Sequence, residues 1–403
     1  MTTKLRVQLS AMMWLQYFIW GSWYVTMGTY LMRTLHFDGV QVGHAYSTLA
    51  IAAMISPFFV GMIADKYFAT ERLLAVLHLI GAVLLYRLSG VVEFGSFYVL
   101  LLVYALCYAP TISLTNSLSF SQMDDPGKDF PGVRVLGTLG WIAAGLLIGF
   151  LGVEDKAVVF KIAAACSVVL GFYCFFLPHV PPQKHKTKKT VAEIMGFDAL
   201  SLLGKKDFAV MVISSVLICI PLMFYYSFTN PFLNEIGMGN AAGKMTLGQI
   251  SEIMFMLVMP FFFRRLGVKN MILIGMAAWI ARYALFAFGD NDALVWMLYA
   301  GIVLHGICYD FFFVTGQIFV DRRAPRHLQN SAQGMITFAT YGLGFYIGTL
   351  VSGKIVDYYL ISEGMHDWQK IWIMPAGFSF VVLLFFLVSF EDKLRQKEKS
   401  AHG

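Results

Sequence analysis

The sequence predicts an all-α integral membrane protein with twelve transmembrane helices in two six-helix repeats, on three observations. The first is composition. Of 403 residues, 58% are hydrophobic and 13% charged, against about 25% charged in a soluble domain, and the mean hydropathy is +0.67. The second is the length and number of the apolar runs, each near the roughly 20 residues that cross a hydrocarbon core. The third is an internal repeat. FSQMDDP ends at Pro126 and FVDRRAP at Pro325, 199 residues apart (325 − 126), and the basic turn at Lys66 recurs at Arg265 with the same offset (265 − 66). A shared offset is the trace a duplicated six-helix unit leaves.

In chain order the runs are approximately 7–30, 43–64, 72–91, 96–121, 132–152, 158–178, 208–232, 247–264, 268–288, 294–320, 330–357 and 370–390. The first follows Lys4 and Arg6, as a signal peptide would. It continues through Trp20, Trp23 and Tyr30 with no small-residue cleavage site, so it reads as a retained helix. Orientation follows from the basic residues. Lys66, Arg72, Lys128, the cluster Lys184 to Lys189, Lys205, Lys206, Arg264, Arg265, Lys269, Arg322, Arg323, Arg326 and the tail from Lys393 fall on one side. The opposite loops are short and carry acids such as Asp38, Glu93, Glu154, Glu235 and Asp290. By the positive-inside rule both termini are cytoplasmic. The expected organisation is a first half over 1–180, a cytoplasmic linker over 181–206, a second half over 207–392 and a cytoplasmic tail over 393–403.

The formal net charge of +6 matters less than where the charges lie, which is almost entirely between the runs. All five cysteines sit in apolar stretches, with neither paired spacing nor a histidine cluster beside them. They imply no disulfide framework and no metal site. A Walker sequence, a soluble domain to house one, and Ser-His or HExxH arrangements are all lacking. This argues against nucleotide-driven pumping, catalysis and any cofactor.

Polar residues inside the runs carry the chemistry. An Asp at a helix centre costs roughly 2.5 to 3.5 kcal/mol even on lenient insertion scales. Yet HGICYDFFFVTG places Asp310 there, and GQISEIMF places Glu252 in the eighth run. Each stands roughly 17 to 18 Å from the basic end of its helix, at 1.5 Å per residue, and so near the midplane. The repeat sharpens the point, because the counterparts 199 residues earlier are Thr111 and Ala53. Two carboxylates at one depth suit a proton-coupling site; the bland alternative is helix bracing through a basic partner or an interhelical hydrogen bond. Gln249 shares a face with Glu252 at i and i+3. In FPGVRVLGTLGW, Arg134, Thr138 and Trp141 form a stripe at i, i+4 and i+7. Arg134 is the obvious counter-charge to the acids, with snorkelling to the surface the competing reading. Tyr309, Phe312, Phe313, Tyr225 and Tyr226 add aromatic surface, which either packs or stacks on a planar ligand. His305 relays protons or is a hydrogen-bonded core histidine. Asn116 and Gln317 are weaker candidates.

Several segments together resemble the nucleoside:proton symporter family of the major facilitator superfamily. They are FIWGSW (18–23), STLAIAAM (47–54), YAPTISLTNS (108–117), DFPGVRVLGTLGW (129–141), GQISEIMF (248–255), YDFFFVTG (309–316) and SAQGM (331–335). GMIADKYFATER (61–72) is similar to the superfamily's loop between its second and third helices, with Phe68 where a Gly is usual. The resemblance implies that Arg134, Thr138, Gln249, Glu252, Tyr309 and Asp310 bind nucleoside or couple the proton. Trp141 stands where some members have a base-contacting Phe. Met223 and Tyr226 replace seventh-helix Gln and Asn, which bears on base preference. The expected activity is proton-coupled nucleoside uptake by alternating access, with Asp310 and Glu252 coupling the proton. A carrier of another small polar solute such as a sugar is the alternative, and a non-transporting receptor a more distant one. The chain is expected to act as a monomer in the bilayer of a bacterial inner membrane, with nucleoside and proton as partners and no nucleic acid.

Overall fold

The computed structural model describes residues 1–59, 68–182 and 197–391. The turn 61–67, the central linker and the basic tail fall mostly outside the described residues, and the expectations placed on them are not taken further. Eight helices among the described residues are long and apolar enough to cross a membrane. One of them, Ala241–Phe288, has 48 residues. Straight, it would measure about 72 Å, more than twice a hydrocarbon core of about 30 Å. It is two spans. Gly267, with φ 71°, breaks the helix between them. The sequence reading placed a short loop over 265–267, but a single residue in the left-handed region, open to glycine without a Cβ clash, makes the turn.

With the helices Thr3–Trp23, Gly39–Phe59 and Thr70–Leu88, the spans number twelve. The first continues after a turn as Met27–Arg33. The fourth to seventh are Phe94–Ser121, Pro126–Leu151, Val158–Phe176 and Lys206–Glu235. The tenth, eleventh and twelfth are Val295–Arg323, Ser331–Tyr358 and Trp368–Ser389. A two-stranded hairpin, Leu360–Ser362 with Met365–His366, joins the last two and was not foreseen from sequence. Acidic caps start several helices by satisfying free backbone donors. Glu93 accepts from Gly95 N at 2.6 Å and Ser96 N at 2.7 Å. Those bonds hold its carboxyl below the usual range. Asp367 caps the twelfth span through Lys370 N at 3.1 Å.

The chain divides into two compact units, Met1–Lys189 with Gly239–Thr246, and Thr190–Met238 with Leu247–Gly403. Inside the first, Trp23 packs edge-on to Tyr104 and stacks on Phe160, and Phe160 meets Phe97. The third span is tied to the segment after the sixth, where Glu71 accepts from Val180 N at 3.0 Å and pairs with His179 at 2.7 Å. In the second unit, Trp372 is the hub for Phe232, Tyr283, Phe286 and Trp368. Asp207 holds Arg323 through two bonds of 2.6 and 3.2 Å, fixing the seventh span to the tenth. Phe150 and Val388 are among many large apolar side chains left on the outside, as a lipid-facing surface requires.

Candidate functional site

In the second unit the seventh, eighth, tenth and eleventh spans bring one group of side chains together. Gly306 makes this possible. A Cβ there would lie 2.6 Å from the Ser251 carbonyl group and 2.7 Å from Glu252 N, so only glycine lets the eighth and tenth spans approach this closely. Ser251 Oγ then donates to Val303 O at 2.5 Å, locking the crossing. The approach sets Glu252 beside His305, with Oε2 and Nε2 3.9 Å apart. Tyr226 meets the His305 ring edge-on at 6.1 Å, and Tyr309 lies 6.0 Å from the same ring. The Tyr309 and Tyr341 hydroxyls are 2.5 Å apart. Phe345 contacts both Tyr341 and Tyr226 and completes an aromatic ring of residues. Gln249 lies one turn before Glu252 and is half-buried.

Asp310 is fully buried, and neither carboxylate oxygen has a hydrogen-bond partner among the described residues. The bracing alternative required a basic partner, and none is bonded to it. A buried carboxylate in that setting is costly while charged and unpartnered, and binding a proton removes the charge. Asp310 also opens a π-helical segment, Asp310–Val314. A second one, Phe338–Gly344, carries Tyr341 on the eleventh span. Such wide turns inside α-helices are frequent at functional sites.

In the first unit the stripe on the fifth span meets the first span. Arg134 lies over the Tyr17 ring at 4.1 Å, a cation–π contact that turns the guanidinium onto the first span. Trp141 packs edge-on to Trp20 at 5.2 Å and Tyr24 at 6.1 Å. The Trp20 indole N–H is buried without an acceptor. Thr138, between them on the stripe, is half-buried. Of the weaker candidates, Asn116 has a buried side-chain oxygen with no partner, whereas Gln317 is exposed.

Sequence reasoning overlooked Arg282. It is the only Lys or Arg buried among the described residues, at 0% exposure. Its Nη1 lies 3.2 Å from His305 Nδ1, and its guanidinium sits 3.3 Å above the Tyr225 ring centroid. The signal was available, since an Arg roughly 20 Å along its helix from the basic end at Lys269 is as conspicuous as a midplane Asp. Arg134 was taken as the obvious counter-charge; a cation within the acids' own half was not considered.

Comparison with known proteins identifies the family. The family described as nucleoside H+ symporter matches residues 1–395. YegT of Escherichia coli (strain K12) is 40% identical, over 96% of this chain and 94% of its own. Nucleoside permease NupG of the same organism is 35% identical, over 97% of each chain. The crystal structure of nucleoside transporter NupG superposes with a TM-score of 0.90 at 34% identity, covering 96% of this chain and 99% of that one. The twelve-span major facilitator fold and a match over nearly the full length lead to one assignment: the chain belongs to the nucleoside H+ symporter family, whose members are membrane transporters and not enzymes.

Proposed function

We propose that this symporter takes up nucleosides with Asp310 as the group that binds and releases the driving proton. The buried carboxylate without a bonding partner carries this reading. Glu252 serves both substrate and coupling, since its two oxygens accept from ribose hydroxyls. Gln249, Arg134 and Thr138 supply further polar contacts to substrate during the cycle. Trp141, Tyr309 and Tyr226 offer flat surfaces to the base. The cation–π contact of Arg134 with Tyr17 supports an inward role for Arg134 over a snorkelling one. Both termini face the cytoplasm of a bacterial inner membrane, the two halves are joined by the linker 181–206, and the monomer is the working unit.

Asp310→Asn tests the reading in proteoliposomes. An amide keeps the shape but cannot cycle a proton, so accumulation driven by a proton gradient should vanish. Counterflow exchange of nucleoside, which needs no net proton movement, should continue. Wild-type accumulation by the variant would remove Asp310 from the coupling role.

A further inference from the structure

We propose that Arg282 is the standing counter-charge of the second half, acting on Glu252 through His305, which serves as an uncharged hydrogen-bond bridge and not as a proton carrier. A guanidinium has donors only. Its approach to within 3.2 Å of Nδ1 therefore makes that nitrogen the acceptor, and the single proton of the neutral ring sits on Nε2. Nε2 is the nitrogen that faces Glu252, at 3.9 Å. This distance is longer than a formed hydrogen bond and closes with a small side-chain rotation. The chain of groups is thus cation, neutral ring, carboxylate, each oriented by the one before it.

The surroundings explain why the ring stays in this state. His305 is 1% exposed and stacked on Tyr225 at 5.0 Å. Tyr225 carries the guanidinium on its other contact, with Trp279 and Phe286 within 6 Å of it. A second positive charge placed on His305 beside Arg282 would be repelled in this apolar setting. One buried cation balances one carboxylate. With two acids in the same half, Glu252, reached through the bridge, carries the standing charge, and Asp310 is left to exchange the proton. This inference rests on the substrate role proposed for Glu252 and extends it to residues outside the family resemblance drawn from the sequence.

The test uses the full-length protein, with uridine and adenosine as probes, in binding measurements in detergent and uptake into proteoliposomes. Arg282→Gln should weaken nucleoside binding about ten-fold, the size of coupling expected between groups in one buried network. In the Glu252→Gln background the same change should add less than about two-fold, because the charge it serves is gone. Arg282→Lys keeps the charge and a donor for Nδ1 but loses the planar stack on Tyr225, so its binding should fall between that of wild type and that of Arg282→Gln. His305→Gln, whose amide accepts at one end and donates at the other, should retain accumulation driven by a proton gradient, while His305→Leu should bind about as weakly as Arg282→Gln. Should Arg282→Gln fail to fold, the two His305 variants decide. Additive losses in the Arg282 and Glu252 pair, equal damage from Lys and Gln, or loss of accumulation with preserved counterflow in His305→Gln would each overturn the inference. Normal binding by Glu252→Gln alone would instead bring down the substrate role of Glu252, and the inference with it.

Discussion

Trp141 stands edge-on to two aromatic rings of the first span and keeps part of its own surface open. A ring held at its edges presents a face, which suits stacking on a nucleobase. Trp141→Ala should therefore weaken nucleoside binding by about 0.5 to 1.5 kcal/mol from lost stacking alone, and Trp141→Phe should be tolerated. Arg134→Lys is the companion test: it keeps charge but loses the planar fork, so a residue making directional bonds should lose affinity. Calorimetry in detergent reads both, and unchanged affinity in Arg134→Lys and Trp141→Ala would remove the fifth span from the substrate's path. These residues were legible because side chains that are costly in lipid stand out at helical spacing. Arg282 was equally costly and was missed, because attention to the acids and their repeat offset passed over a lone cation in the ninth span. His305 was weighed as relay or core histidine; Arg282, whose guanidinium meets its Nδ1, lies 23 residues earlier on the preceding span, beyond a reading by spacing within one helix.

At the level of helices, the first and fifth spans pack backbone to backbone. A Cβ on Gly140 would fall 2.2 Å from Trp14 O and 3.0 Å from Trp14 C. Gly140→Ala should force the pair apart and cost about 1 to 3 kcal/mol, as overpacking does. Gly377 in the twelfth span supplies the control, because nothing lies within 4 Å of a Cβ placed there. Gly377→Ala should be neutral or slightly stabilising, since alanine favours helix. Thermal melting in detergent separates the two; an unshifted midpoint for Gly140→Ala would contradict the close approach. Hydropathy reads span length and number well, because a bilayer imposes both. It cannot see the π-helical turns at Asp310–Val314 and Phe338–Gly344. Those change hydrogen-bond register without changing composition. The break at Gly267 was bracketed by the basic residues beside it, though its reduction to one residue was not.

Over the whole molecule, the repeat predicts equivalent positions in the two halves but not equivalent chemistry. Thr111, the counterpart of Asp310, sits in a closed network of uncharged groups. Gln16 donates to Thr111 at 2.7 Å and meets His78 Nε2 at 2.9 Å, while Ser167 donates to the His78 carbonyl at 2.9 Å. Tyr108 donates to Gln16 O at 2.6 Å. Satisfied networks of this kind rigidify. In the second half the corresponding region holds a buried cation, a histidine and two acids, with Asp310 unsatisfied. On the coupling role proposed for Asp310, proton handling belongs to the second half, and the hydrogen-bonded network of the first is expected to be structural. His78→Leu should leave the Gln16 oxygen unpaired and cost about 1 to 3 kcal/mol of stability, read as a lower melting midpoint. The ratio of gradient-driven accumulation to counterflow, measured per folded molecule, should stay at its wild-type value. Asp310→Asn should do the reverse, with an unchanged or raised midpoint, because an unpartnered charge is removed, and a collapsed ratio. A collapsed ratio in His78→Leu would show that the first half also handles protons, and the asymmetry between the halves would lose its functional meaning.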